Sequence, residues 1–301
     1  MSTTTGRNEI GSELTVRRLT PRIGAEISGI SLSGDLGPST VKAIRDTILA
    51  HRVVFFRGQQ HLTEDTHEAF GRLLGPIEPH PTAPALKGTE NVLDIDGRRN
   101  RASAWHTDVT FVEAFPQFSV LRGVVIPDLG GDTVWANTAA AYANLPEPLR
   151  VLADSIWGSF TNAYDYAGTR ETVTADHLDY HEKVIRSTVF RTDHPIVQVH
   201  PLTGERALIL GNHLDKLIGF NAADSRRLFD IFEDHITKPE NTVRWNWAAG
   251  DVAIWDNRTT QHKAVDDYGD EPRVVRRVVI AGPVSVGIDG RNGVTRTRQV
   301  A

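Results

Sequence analysis

No cysteine occurs in the 301 residues, so disulfides, thiolate metal sites, iron–sulfur clusters and thiol nucleophiles are all excluded. Any metal must be held by histidine, aspartate, glutamate or backbone oxygen. Methionine is limited to Met1, which leaves few easily oxidised side chains. No run of about 18 apolar residues appears, so no transmembrane helix is expected. Met1 to Gly11 is polar and Ser/Thr-rich, without the apolar centre of a secretory signal, and a cytoplasmic location is the expectation. Lysine is scarce, six against 27 arginines, and the formal charge of −5 is spread along the chain. Without a basic run or an aromatic–arginine stripe, neither nucleic acid nor a membrane is an expected partner. Walker loop, dinucleotide fingerprint, nucleophile elbow and internal repeat are missing as well.

What is present is an ordinary globular composition, 40% hydrophobic and 24% charged, enough to build a sizeable core. Pro38 to His51 reads as a helix with Val41, Ile44 and Ile48 on one face. Thr63 reads as the cap of a second helix with Phe70, Leu73 and Leu74 as its apolar stripe, stopped by Gly75-Pro76. From Pro79 to Ala104 proline, glycine and charge dissolve the periodicity, which predicts a long loop. With Gly88 and Gly97 in it, the part from Ala83 reads as a lid that orders over a ligand. Short β-rich runs follow at Phe118 to Ile126, Thr133 to Ala136, Ile196 to His200, Arg206 to Leu210, Thr242 to Trp247, Val252 to Asp256 and Arg273 to Ala281. Helical patterns fall at Ala139 to Tyr142, Leu149 to Trp157 and Ser225 to Ile236. Many short strands broken by Gly and Pro point to a closed, mainly β architecture.

Three His-x-Asp pairs could begin a metal site: His106-Thr107-Asp108, His177-Leu178-Asp179 and His213-Leu214-Asp215. On an extended strand, residues two apart share a face and grip one ion, whereas on a helix they diverge. His177 lies in a helix-like run and reads as a surface residue. His213 follows a strand and is a rival, although Asn212 and Asp215 also fit a turn. His106 and Asp108, between Trp105 and Val109-Thr110-Phe111, are the best placed, and His262 beyond the strand at 251–256 is a candidate third ligand. Two histidines and a carboxylate on one octahedral face leave adjacent sites open, as iron(II) oxygenases require. Three ligands and one open site would equally suit a zinc hydrolase. In Arg273 to Val279 the strand period makes Arg273 and Arg277 co-facial, about 13 Å apart along the strand. Their guanidiniums suit carboxylate or sulfate, unless they form a solvated face.

Three runs, Trp105 to Phe111, Gly130 to Asn137 and Trp245 to His262, together with the interval on to Arg273 and Arg277, resemble the taurine dioxygenase family. That is a family of 2-oxoglutarate-dependent non-haem iron(II) oxygenases, and the likeness spans about Leu14 to Pro283. It implies a double-stranded β-helix, or jelly roll, with flanking helices, over a single domain at 14–283. Residues 1–13 would be a flexible tail and 284–301 a C-terminal extension. It implies iron bound by His106, Asp108 and His262, and 2-oxoglutarate and O₂ as cosubstrates. Thr133 and Arg273 match positions for the distal carboxylate of 2-oxoglutarate, Arg277 matches the position for the sulfur oxyanion of the prime substrate, and His80 matches a substrate-pocket histidine. Taurine-specific members carry a tyrosine and an asparagine where this chain has Ala83 and Ala102. The likeness is therefore to the alkylsulfatase branch, which oxidises the carbon bearing a sulfate ester, with taurine or another sulfonate as the alternative substrate. A homodimer or homotetramer and a small anionic organosulfur substrate are the expected partners. A non-catalytic anion-binding jelly roll is a further alternative.

Overall fold

The computed structural model describes residues 7–10, 14–99, 101–163, 179, 183 and 188–300. The chain opens with strands β1 (Arg7–Ile10), β2 (Leu14–Arg18) and β3 (Ala25–Ser28), then helix α1 (Pro38–His51), β4 (Val53–Phe56), helix α2 (Glu64–Leu74), β5 (Ile77–Glu78) and β6 (Leu93–Asp96). Next come β7 (Phe118–Val125), β8 (Thr133–Asn137), α3 (Thr138–Ala143), α4 (Glu147–Ser155) and β9 (Trp157–Thr161). The second half holds β10 (Thr188–Pro195), β11 (Val197–Val199), β12 (Arg206–Leu208), β13 (Leu214–Leu217) and α5 (Ala222–Ile236). It ends with β14 (Thr242–Trp245), β15 (Val252–Asp256), β16 (Thr260–Ala264), β17 (Val274–Ile280) and β18 (Val294–Val300).

The architecture is the expected jelly roll. A large sheet runs β1-β2-β3-β4-β15-β7-β17-β5, with β6 also paired to β17, and a smaller sheet runs β14-β8-β16. Their facing sides are held together by Phe55, Leu121, Ala253, Trp255 and Val275 from the large sheet and Trp135, Val243 and Trp245 from the small one. A fully buried valine, leucine or phenylalanine among them contributes about 1.5–3 kcal/mol, so this seam is a principal source of stability. The other face of the large sheet is covered by α1 and α2, whose Val41, Ile44, Ile48, Phe70 and Leu74 pack on Val54, Phe56, Val120 and Ile254.

α1 has the predicted bounds, and Thr63 caps α2 in a reciprocal pair with Thr66. The predicted long loop is interrupted by β6, a Leu-Asp-Ile-Asp run too short and too charged to register as a strand until β17 offers it a ladder. β9, β10 and β13 were likewise illegible, and the pattern read as helical up to Trp157 ends at Ser155, where Trp157 begins a strand. Val294–Val300 pairs antiparallel with β10. His177 and most of its helix-like run lie outside the described residues. Among the described residues no helix is long and apolar enough to cross a membrane.

Candidate active site

His106 and His262 are brought together by backbone pairing. The amide of His106 donates to the carbonyl of His262 at 3.0 Å and the reverse bond is 2.8 Å, so the two residues form a bridge beside β16. Gly211 bridges His106 from the other side, at φ +99°, where a Cβ would lie 2.9 Å from the His106 Cα. Asp108 arrives differently from the sequence expectation. The chain is not an extended strand through Asp108 but turns at once, with Val109 at φ +60°. A β-branched residue in the left-handed region costs of the order of 1–3 kcal/mol. The turn is held by Asn257, whose Oδ1 accepts from the Asp108 amide at 2.9 Å and whose Nδ2 donates to the Asp108 carbonyl at 3.1 Å. Ser119 Oγ donates to Asp108 Oδ2 at 2.8 Å, leaving Oδ1 toward the histidines.

The result is a compact donor set. Asp108 Oδ1 lies 3.7 Å from His106 Nε2 and 3.8 Å from His262 Nε2, and all three ligand atoms fall within 4.8 Å of one another. Metal–ligand bonds of about 2 Å bridge such spacings. His106 Nδ1 faces the Ala104 carbonyl at 2.9 Å, so Nδ1 carries the proton and Nε2 presents its lone pair. His262 Nδ1 is buried without a hydrogen-bond partner, and its ring is oriented instead by Trp255 at 4.6 Å and Trp135 at 6.3 Å. Burial pushes both imidazoles below the usual histidine range and outweighs the opposing pull of the Asp108 carboxylate, which keeps them neutral. For Asp108 burial pushes upward, but Arg277, the two histidines and the Ser119 hydroxyl outweigh it and hold the carboxyl well below the usual range. Two neutral imidazoles and one carboxylate are the donors that iron(II) accepts, and the buried set fits it.

Beside this cluster is a cavity of about 80 Å³, bordered by His80, Arg277, Val109, Phe111, Leu93 and Ile95 among others, with Ala83 and Ala102 at its wall. Arg277 donates from Nη1 to Asp108 Oδ1, and its buried Nε has no acceptor. His80 Nδ1 accepts from the Ala83 amide at 2.9 Å, which places the ring proton on Nε2. Burial first, then Arg277, lowers the His80 pKa to about 3, so the ring acts as a neutral donor. Thr133 and Arg273 also meet: Arg273 Nη2 donates to Thr133 Oγ1 at 3.2 Å and its Nε to the Gly131 carbonyl at 2.8 Å. That pair does not border the cavity, so the two predicted anion anchors, although both buried, occupy separate places. His213, the rival ligand, lies on the cavity wall with Nδ1 bound to Thr110 Oγ1 at 3.1 Å, and it is outside the three-residue donor cluster. Sequence reasoning missed Ser119 and Asn257. Asn257 stands in the run leading to His262 and could have been suspected, whereas nothing marks Ser119 in a strand of apolar neighbours.

The model of the taurine catabolism dioxygenase TauD, TfdA family matches residues 15–279. The chain belongs to the taurine dioxygenase family. Within it, the sequence is 56% identical over 280 residues to the alpha-ketoglutarate-dependent sulfate ester dioxygenase of Pseudomonas putida, covering 93% of each chain. It is 51% identical to the alkylsulfatase of Acinetobacter baylyi, covering 94% of this chain and 90% of that one. Among solved structures, a taurine dioxygenase from Burkholderia xenovorans superimposes with a TM-score of 0.80 at 38% identity, over 95% of each chain. The taurine dioxygenase family is thus established by sequence, and its jelly roll by the fold.

Proposed function

We propose that the protein is an iron(II)- and 2-oxoglutarate-dependent dioxygenase that hydroxylates the carbon bearing the sulfate ester of a small alkyl sulfate. The observation that carries this reading is one buried guanidinium, Arg277, set among apolar walls directly beside the His106, Asp108 and His262 cluster. An alkyl sulfate has the same two halves. Its sulfate matches the Arg277 fork and the His80 Nε2–H, and its chain matches Leu93, Ile95, Val109 and Phe111. The names of the two most similar relatives cited above agree with it.

His106, Asp108 and His262 would hold the iron, and Thr133 and Arg273 the distal carboxylate of 2-oxoglutarate. Iron(II), with 2-oxoglutarate and O₂, supplies the oxidising chemistry when bound. The chain's own residues fix the sulfate end so that its carbon faces the cluster, and the apolar walls limit water around it. Hydroxylation there yields an unstable product that breaks its C–O bond to sulfate. Overall, alkyl sulfate, 2-oxoglutarate and O₂ give aldehyde, sulfate, succinate and CO₂.

The test is a panel of medium-chain alkyl sulfates, taurine and other alkylsulfonates, assayed for succinate together with sulfate or sulfite. Faster sulfate release from the alkyl ester is expected, since each added buried methylene contributes up to about 0.8 kcal/mol. Preferential sulfite release from taurine would restore the sulfonate alternative. Turnover without O₂ would point to a zinc hydrolase, and absence of succinate across the panel to a binding protein. The proposal includes a cytoplasmic homodimer or homotetramer that engages neither nucleic acid nor membrane. Sedimentation equilibrium checks its assembly, and a monomer at micromolar concentration would contradict it.

A further inference from the structure

Arg276 and Arg277 are neighbours on β17 and face opposite ways. Arg277 points inward to Asp108. Arg276 lies on the outer side, where it pairs with Glu64 and donates from Nε to Asp94 Oδ1 at 3.1 Å. Glu64, the first residue of α2, also accepts from Arg122 Nη2 at 2.6 Å, so the partner that holds Arg276 is itself anchored to β7. Asp94 belongs to β6, and the register sets Leu93 opposite Arg277, Asp94 opposite Arg276 and Ile95 opposite Val275. Directly opposed residues of an antiparallel pair share a face. Leu93 and Ile95 therefore fall on the side of Arg277; Asp94 also borders the cavity, but its carboxylate is turned to Arg276.

β6 is four residues long, alternates apolar and acidic, and among the described residues pairs with β17 alone. A one-residue slip in such a strand exchanges its faces. In the register one step along, Asp94 stands opposite Arg277, and its carboxylate competes for the guanidinium assigned above to the substrate sulfate. Asp96 is chelated by Arg98, but Arg98 is on the same segment and would travel with it. Within β6 itself, among the described residues, the charge contact to the fixed strand β17 is that of Asp94 with Arg276, while Arg101 and Glu90 tether the flanking segment to Asp266 and Arg72. Resting on the reading of Arg277 as the sulfate anchor, we propose that Arg276 is a positioning residue that locks β6 in register through Asp94 and so keeps the strand's own carboxylate out of the substrate's anion site.

The test uses the iron-loaded enzyme and three variants of matching fold by circular dichroism: Arg276→Gln, Asp94→Asn and the double variant. Arg276→Gln should raise KM for a medium-chain alkyl sulfate roughly two- to fivefold, the range of one partly exposed ion pair, with kcat and the KM for 2-oxoglutarate little changed. Adding Asp94→Asn removes the competing carboxylate and should return KM toward the wild-type value. A double variant no better than Arg276→Gln would overturn the proposal, since a merely structural contact is not restored by losing its second partner. Independently of turnover, amides 93–96 should exchange faster in Arg276→Gln, and wild-type exchange there would also overturn it. If the wild type fails to turn over alkyl sulfates, the substrate reading falls. The register lock is then decided by that exchange and by whether inorganic sulfate raises the Tm of wild type more than that of Arg276→Gln.

Discussion

Val109 shows how the site is assembled at the scale of single residues. Its left-handed backbone turns the chain so that Asp108 reaches both histidines, and Asn257 and Ser119 hold the turn in place. His106→Ala, Asp108→Ala and His262→Ala should each abolish iron-dependent turnover and lower iron content, because each removes one of the three proposed ligands. His213→Ala should keep its iron, and metal analysis showing otherwise would reassign the site. Gly211→Ala would press a Cβ to 2.9 Å from His106 Cα and 3.0 Å from the Trp105 carbonyl at φ +99°. A loss of about 1–3 kcal/mol in denaturant unfolding, with weaker iron retention, is expected. The two inner arginines should fail differently. Arg273→Ala should chiefly raise the KM for 2-oxoglutarate. Arg277→Ala should cost roughly 2–4 kcal/mol in prime-substrate binding, since the anion loses a paired, charge-assisted contact. Identical kinetic defects in both would refute the division of labour.

Among the elements, α5 carries a half-buried acid that the proposed chemistry does not use. Glu233 accepts from Gln261 Nε2 at 3.2 Å through Oε2, while its Oε1 is buried without a partner. Burial pushes the carboxyl up to about 8, with Gln261 opposing and Asp234 reinforcing. The folded state therefore keeps a proton that the unfolded chain releases near its ordinary value of 4.5. Stability is fully present below that value and declines as pH rises toward about 8. Glu233→Gln should flatten this decline and be more stable than wild type by roughly 1–3 kcal/mol at pH 8, measured by urea unfolding. Parallel pH profiles for the two proteins would disprove it. Little of this was visible in the sequence, because Glu233 looks like any helix-surface glutamate until Gln261 of β16 is packed against it.

At the scale of the whole molecule, the segment from Ala83 to Ala104 closes one side of the cavity while touching the barrel through few charged contacts. Arg101 pairs with Asp266 and donates from Nη2 to the Gly269 carbonyl at 2.6 Å, and Asp94 pairs with Arg276. The Asp94–Arg276 pair is partly exposed and individually weak, and the segment, held mainly at Arg101, should open ahead of the strands beneath it. Hydrogen exchange should show it gaining protection when 2-oxoglutarate and an alkyl sulfate are added. Equal, strong protection with and without them would remove its role as a lid.

The chain's own order of residues determined the absence of thiol chemistry, the mainly β class, the bounds of α1 and the capped start of α2, since these depend on composition, periodicity and local hydrogen bonds. It also supplied His106, Asp108, His262 and the paired arginines as candidates, because ligand chemistry is written in residue type. Only tertiary structure decided how they meet. Asp108 enters from a turn held by Asn257, 149 residues away along the chain, and His106 is positioned by pairing with β16 and Gly211. β6 exists because β17 pairs with it, and Arg273 separates from Arg277 because its partners Gly131 and Thr133 lie on another sheet and its lead-in. Local sequence specifies side chains and short-range backbone preference, whereas these arrangements arise from contacts between segments far apart in the chain, which no local pattern encodes.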